Sequence, residues 1–200
     1  ELLTGLGLDF QVVPADILEE PQPGEIPLKM AERLSLEKAQ AVAARFQHGF
    51  VIAADSVVVH QGRPYGKPID ADDARRMLRE LRGTSHQVVT GITVMNVEDG
   101  RVLTDSMASD VSIRDFTDGE MEISIATGTP MDKAGAYAVQ DEEFRPARSW
   151  EGCYTNIIGL PLCRLSQMLA ELGFDGTLSH PDADSPVCGP TCPLRPEVTP

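Results

Sequence analysis

A run of ten residues, Phe50-Val51-Ile52-Ala53-Ala54-Asp55-Ser56-Val57-Val58-Val59, constrains this chain more than any other feature. Its apolar and β-branched content reads as one buried strand, yet a carboxylate stands in its middle. An unpaired ionised carboxylate is costly in apolar surroundings, so Asp55 needs a cation, a donor cluster or an opening to solvent. A structural aspartate that caps a strand end or pairs with an arginine meets that need as well as a reactive one. Lys38 before the strand and Gly66-Lys67-Pro68 after it favour a site.

With 200 residues the chain is long enough for one large domain, or for one domain with two lobes. Its 42% hydrophobic and 24% charged residues are ordinary for a globular protein. No apolar run reaches the roughly 20 residues of a membrane helix, so a soluble protein without a membrane partner is expected. The formal net charge of −14 argues against binding nucleic acid polymers, which want a positive surface. It leaves room for a small nucleotide, whose phosphates a few lysines and a divalent metal can meet locally. Cys153, Cys163, Cys188 and Cys192 make no secreted-type framework and no signal segment is visible, so the expected location is cytoplasmic.

The chain opens at Glu1 in mid-pattern. Leu2, Leu3, Leu6 and Leu8 suit a helix end closed by Gly5 or Gly7, which suggests a start that has been lost. Phe10 to Val13 reads as a short strand ended by Pro14, and Ala15 to Pro27 as a loop carrying Asp16, Glu19, Glu20 and Glu25. Such acids are ordinarily just solvated; facing Asp55, they could hold Mg²⁺ or Mn²⁺. Leu28 to Phe46 has helical period, and Lys38 falls inside its apolar arc. Lysines usually snorkel to water from such a position; the alternative is an ammonium at the core's edge, aimed at a phosphate.

Gly66-Lys67-Pro68 is no Walker motif and is weak alone, although Gly allows close backbone approach and Pro holds Lys67 extended. Asp70 to Leu81 reads as a helix with acids first and arginines later, a structural use of charge along the dipole. Gln87 to Met95 and Arg101 to Ile113 read as antiparallel strands around a turn. His86 beside them could be a ligand or an acid–base group, but a lone histidine there is more often merely hydrogen-bonded. Thr117-Asp118-Gly119-Glu120 has capping-box form. Small residues crowd Asp132 and Lys133, either to bring backbone close to a ligand or to make a self-paired turn. Glu151 to Leu160 reads as a last strand, and Leu162, Leu165, Leu169 and Leu172 as a closing helix with Cys163 a packed thiol. From Asp175 onward six prolines fall in 26 residues, a composition expected to be disordered. Cys188 and Cys192 lack the further ligands that zinc needs.

In order along the chain, these pieces resemble the Maf family of nucleoside triphosphate pyrophosphatases. They are Glu1-Leu2-Leu3, Ile17-Leu18-Glu19, Arg33-Leu34 with Lys38-Ala39, Ala54-Asp55-Ser56-Val57-Val58, Gly66-Lys67-Pro68 and Leu81-Arg82-Gly83 with His86, Val88 and Thr90-Gly91. Pro130 to Tyr137 with Gln140, and Gly159-Leu160-Pro161-Leu162, complete the set. The match spans Glu1 to about Leu172. The resemblance implies an α/β fold like that of the inosine triphosphatases, a mixed twisted sheet flanked by helices, with two lobes around a nucleotide cleft. The corresponding domain is 1–174, followed by a tail at 175–200. The implied reaction is hydrolysis of the α–β phosphate bond to a nucleoside monophosphate and pyrophosphate with Mg²⁺ or Mn²⁺, in the service of nucleotide-pool house-cleaning.

By position in those motifs, Asp55 matches the proton acceptor, Glu19 and Asp55 the metal ligands, and Lys38 and Lys67 the phosphate-binding lysines. Ser56, Lys133 and Gln140 complete the substrate-binding set. The late motif with Gln140 is similar to the dTTP/UTP branch; the 7-methyl-GTP branch has a glutamate in place of that glutamine. A non-catalytic nucleotide-binding or septum-regulating protein is the competing reading, and a homodimer is entertained as the assembly. Family members begin with a strand and a Ser-x-Ser-Pro-Arg-Arg loop before Glu-Leu-Leu. Since neither stands in these residues, an unfilled strand position and poor activity are expected.

Overall fold

The computed structural model describes residues 2–178. The stretch from 179 onward, with Cys188, Cys192 and most of the expected disordered tail, lies outside the described residues.

Five strands, β1 (Phe50–His60), β2 (Arg63–Tyr65), β3 (Ser85–Asn96), β4 (Val102–Ile113) and β5 (Ala147–Glu151), form one sheet in the order β2-β1-β3-β4-β5. Every pairing is antiparallel. The expected mixed sheet is therefore corrected, and the turns supply the reason. β1 enters β2 through Gln61 and Gly62, whose φ values of 50° and 75° belong to the tight reversal that a right-twisted hairpin favours. A short turn likewise joins β3 to β4.

Helices α2 (Pro27–Ala43), α3 (Ala71–Leu81), α4 (Asp118–Ala126) and α6 (Leu162–Glu171) flank the sheet, with short α1 (Leu2–Gly5) and α5 (Tyr154–Ile157). Alternation along the strands sorts them onto two faces. Asp55, Val57, Val89, Gly91 and Thr93 share the face that α2 covers: Ala31 packs with Val57 and Val89, and the Ser35 and Thr93 hydroxyls are 2.9 Å apart. Gly91 makes that approach possible. A Cβ there would lie 2.1 Å from the carbonyl oxygen of Ala31. On the other face Val58 and Val88 join α3 and α4 in one core, while Ile92 and Val94 join α1 and α6 in a second.

Local signals hold well in α3 and α4. Asp70 caps α3 by accepting from the Asp73 N–H, and Arg75, Arg76 and Arg82 pair with acids of this helix and of α4. Thr117 and Glu120 form the reciprocal capping box. Two expected strands are corrected. Phe10 to Val13 is extended but joins no ladder, and Val12 is 83% exposed. β2 covers only Val58 to His60, so among the described residues no strand pairs with the outer edge of β1 from Phe50 to Val57. A groove of about 760 Å³ separates that edge from Phe10 and Val13. Without a hydrogen-bonded neighbour, strand propensity alone makes no strand.

The second correction falls at the end of the sheet. The strand expected over Glu151 to Leu160 instead finishes at Glu151, and the chain turns at Gly152 (φ 97°) into α5. A Cβ on Gly152 would sit 2.9 Å from the Ser109 hydroxyl. The turn lets Asn156 reach inward and donate to the Val88 carbonyl and to Ser109, which one more extended strand would not permit. Cys163 is buried beside Cys153 and Met107, as a packed thiol should be.

Candidate active site

Asp55 lies in β1 opposite Gly91, and α2 passes over it. Because Gly91 lets α2 come down onto β3, Lys38, seven residues after Ala31, arrives above the carboxylate. The Lys38 Nζ is 2.6 Å from Asp55 Oδ1 and 2.6 Å from Glu19 Oε1. One ammonium thus bridges the loop acid and the strand acid. Lys38 does not snorkel: its side chain keeps 18% of its exposure and that of Asp55 keeps 10%.

Burial pushes the Asp55 carboxyl up from its ordinary value, and the hydrogen bond and charge of Lys38 oppose the shift without cancelling it. Burial would lower Lys38, but its bonds to Asp55 and Glu19 outweigh that and hold it above its usual value. A half-buried carboxylate with a raised proton affinity has the character of a general base.

A cleft of about 620 Å³ opens here, lined by Glu19, Lys38, Asp55, Ser56, Lys67, Lys133 and Gln140 together. These are all the candidate site residues singled out in the sequence, from five separate stretches. The cleft wraps the outer edge of β1 where β2 stops, so it draws side chains from both faces of the sheet. Glu19, Lys38 and Asp55 come from the α2 face. Ser56 points to the opposite face, its hydroxyl 2.8 Å from that of Thr90. Lys67 is exposed on the loop after β2, and its charge acts on both Asp55 and Asp132. Lys133 pairs with Asp132 at 2.7 Å, so the self-paired turn and the cleft lining are both present.

The wall opposite Lys38 is built differently. Two short 3₁₀ turns, Thr129–Asp132 and Ala134–Ala136, carry the chain along it. Gly135 and Ala136 both have positive φ, 70° and 60°. For the alanine that conformation costs on the order of 1 kcal/mol. The Gly135 N–H donates to the Gly66 carbonyl, which ties this wall to the Lys67 loop. Tyr137 follows, buried, its hydroxyl 2.7 Å from Nε2 of the buried His86.

Among the described residues no three His, Cys, Asp or Glu side chains gather as a metal site. Glu19 and Asp55 do converge: both carboxylates touch one Nζ atom, so their oxygens are separated by no more than twice the 2.6 Å contact. Two carboxylates beside an open cleft suit a hard divalent cation that takes its remaining ligands from phosphate and water. The donor set fits Mg²⁺ or Mn²⁺ and does not fit a closed structural metal.

The model of the family described as Maf-like protein matches residues 1–172. The chain belongs to the Maf family. Its relatives are consistent with that. It is 44% identical over 173 residues to the dTTP/UTP pyrophosphatase of Geobacter sulfurreducens, covering 86% of this chain and 91% of that one. The dTTP/UTP pyrophosphatase of Syntrophomonas wolfei is 42% identical, over 86% of this chain and 92% of its own. The Thermomicrobium roseum protein of the same name is 43% identical over 99% of this chain and 90% of its own.

In this Maf protein three residues at or behind the cleft make contacts that local sequence does not announce. Thr90 stands directly opposite Ser56 and donates to the Asn156 carbonyl, and strand register would have exposed it. Tyr137 was visible only as one residue of a motif. His86 stands in a motif and reads as a hydrogen-bonded histidine, but its partner Tyr137 lies 51 positions away in the sequence and is not marked by it.

Proposed function

We propose that this protein hydrolyses nucleoside triphosphates, dTTP and UTP foremost, between the α and β phosphates, giving a nucleoside monophosphate and pyrophosphate. One observation carries the reading. A half-buried carboxylate on β1 shares a lysine with a second carboxylate, in a cleft that also holds two further lysines and a glutamine. The relatives' common name supplies the substrate.

The triphosphate lies over the α2 side of the β1 edge, where Lys38 and Lys67 neutralise its charge, and Lys133 reaches the substrate from the opposite wall. Phosphate oxygens compete for the Lys38 ammonium and draw it from the carboxylates, which leaves Asp55 free to accept a proton. Asp55 then takes the proton of a water attacking in line, a contribution of about 10²–10⁴-fold for a positioned general base. Glu19 and Asp55 would hold a divalent cation, which supplies Lewis-acid neutralisation of phosphate charge when bound. The nucleoside passes to the opposite face of the sheet, against Ser56 and Tyr137, where Gln140 offers an amide to the base.

Residues 1–174 are read as this nucleotide-binding domain, inosine-triphosphatase-like, with its two lobes on either side of the cleft, and 175–200 as a tail outside it. The test is pyrophosphate release with Mg²⁺ from dTTP, UTP and 7-methyl-GTP, with Asp55→Asn alongside. Release from the pyrimidine nucleotides that Asp55→Asn abolishes supports the reading. Nucleotide binding without release replaces it with a binding protein, and preference for 7-methyl-GTP overturns the use of Gln140.

A further inference from the structure

His86 is an expensive residue for its place. It is 4% exposed, and its Nδ1 finds no hydrogen-bond partner. Burial drives its pKa down to about 4, with the nearby His60 contributing, so the ring is neutral at ordinary pH. A leucine or phenylalanine would fill the same space without leaving a polar atom stranded. The imidazole makes one polar contact from its side chain, Nε2 to the Tyr137 hydroxyl at 2.7 Å, with the rings edge to face at 5.4 Å.

Tyr137 links this buried group to the cleft. It lines the cleft wall, and with Ala136 it packs into the core that Val58, Leu78 and Leu81 share. Gly135 and Ala136 before it are both left-handed, a conformation that non-glycine residues leave when nothing enforces it. Besides that packing and the local bond from the Ala136 N–H to the Lys133 carbonyl, two hydrogen bonds tie the turn to the rest of the fold: Gly135 N–H to the Gly66 carbonyl, and Tyr137 to His86. The first joins loop to loop. The second joins the segment to the sheet, through β3, where His86 stands opposite Val111 of β4. Tyr137 sits between Lys133 and Gln140 in the chain, so its position sets the path of both.

We infer that His86 is a positioning residue that sets nucleoside selectivity, holding Tyr137, and with it the wall carrying Lys133 and Gln140, in the shape that admits a pyrimidine nucleotide. This rests on the pyrophosphatase reading and adds a determinant to it. Asp55, Lys38 and Glu19 lie on the opposite face of the sheet, so the loss of this contact changes recognition and leaves the hydrolytic step largely in place. A neutral imidazole is well suited to such a role, because its hydrogen-bonding pattern stays fixed at any pH well above 4.

The experiment compares wild type, His86→Phe, His86→Gln and Tyr137→Phe in Mg²⁺-dependent pyrophosphate release from dTTP and GTP. His86→Phe and Tyr137→Phe are each expected to raise KM for dTTP about tenfold, the effect of one lost buried hydrogen bond, with kcat within about threefold. Each also lowers the dTTP-to-GTP ratio of kcat/KM. His86→Gln, whose amide reaches near the place of Nε2, restores most of both. The double variant His86→Phe/Tyr137→Phe costs no more than either alone, because the two act as a unit.

Unchanged KM and unchanged dTTP-to-GTP ratio in Tyr137→Phe overturn the inference, as does a fall in kcat alone. Tyr137→Phe keeps the ring, so it stands as the deciding variant if His86→Phe does not fold. Should wild type release no pyrophosphate at all, the pyrophosphatase reading falls by itself. Calorimetric binding of dTTP and GTP to wild type and Tyr137→Phe then decides the positioning role: weaker dTTP binding and a lower dTTP preference support it, and equal affinities overturn it.

Discussion

The two walls of the cleft sit on opposite faces of one sheet edge and are held by different physics. The α2 wall is regular secondary structure: a 17-residue helix seated on β1 and β3, with its charged residues in direct contact. The 132–140 wall is irregular chain in left-handed and 3₁₀ conformations, with Ala136 and Tyr137 buried in the core and the turn tied by hydrogen bonds to Gly66 and His86. A helix packed closely on a sheet resists displacement, so it fixes Asp55, the proposed proton acceptor, and its lysine closely. Irregular chain can be repositioned by a single side chain. That division suits the proposed placing of hydrolysis on one wall and nucleoside recognition on the other.

The largest effect should come from the rigid wall's own chemistry. Asp55→Asn keeps the shape and removes the proposed base, so pyrophosphate release should fall about 10³-fold while calorimetry still detects dTTP binding. Residual activity near wild type would move the base elsewhere. Next, glycines should test the contrast in rigidity. Gly91→Ala drives a Cβ to 2.1 Å from a backbone carbonyl of α2. Neither helix nor strand can yield cheaply, and urea unfolding should show a loss of about 3 kcal/mol or more. Gly135→Ala, on the irregular wall, meets side-chain atoms of Val58 and Leu81 at 3.1 and 3.2 Å and carries a φ of 70°. There the cost should be nearer ~1–2 kcal/mol, mostly conformational. Equal losses would erase the distinction between the walls.

Acid should probe the irregular wall through His86. Its folded-state pKa of about 4 lies below the 6.5 of the exposed imidazole. Between those values the unfolded chain binds more protons, so stability is fully present above pH 6.5 and is lost as pH falls toward 4. The expected loss by about pH 5 is about 2 kcal/mol. His86→Gln should remove this part of the pH slope in urea titrations, and an unaltered slope would mean that His86 is protonated in the fold.

The same contrast explains what could be read from the sequence. Regular elements announce themselves by period: Lys38 in an apolar helical arc and Asp55 in an apolar strand were visible as two unsolved problems, and each turned out to solve the other. Asp70 and Thr117 are caps because capping is local. Where structure depends on distant partners, the reading stopped. The Phe10 to Val13 segment has strand composition and no ladder; the stretch after Glu151 has strand composition and a helical turn, imposed by Asn156 reaching across to Val88 and Ser109. Nothing local marks Ala136 as left-handed. Nor does any local pattern hint that the cleft wraps a sheet edge, because that follows from how short β2 is against β1.

The smallest effect should arise behind the cleft, where β1, β3 and α5 meet. Ser56 leaves β1 toward the irregular side, its hydroxyl beside that of Thr90, and Thr90 donates to the Asn156 carbonyl in α5. Because Thr90 donates to the carbonyl, the Ser56 hydroxyl is left to donate to Thr90, and the chain of bonds runs from β1 through β3 to α5. Ser56→Ala removes only the outer link, and Thr90 keeps its carbonyl partner. The loss should be about 1 kcal/mol in urea unfolding, with KM for dTTP rising a few-fold. Thr90→Val cuts both links: the Ser56 hydroxyl loses its acceptor, while the Asn156 carbonyl keeps the Gly159 N–H, so it should cost about 1.5 kcal/mol. If Ser56→Ala costs as much as Thr90→Val, the bonds run in the other direction and the serine is the anchor.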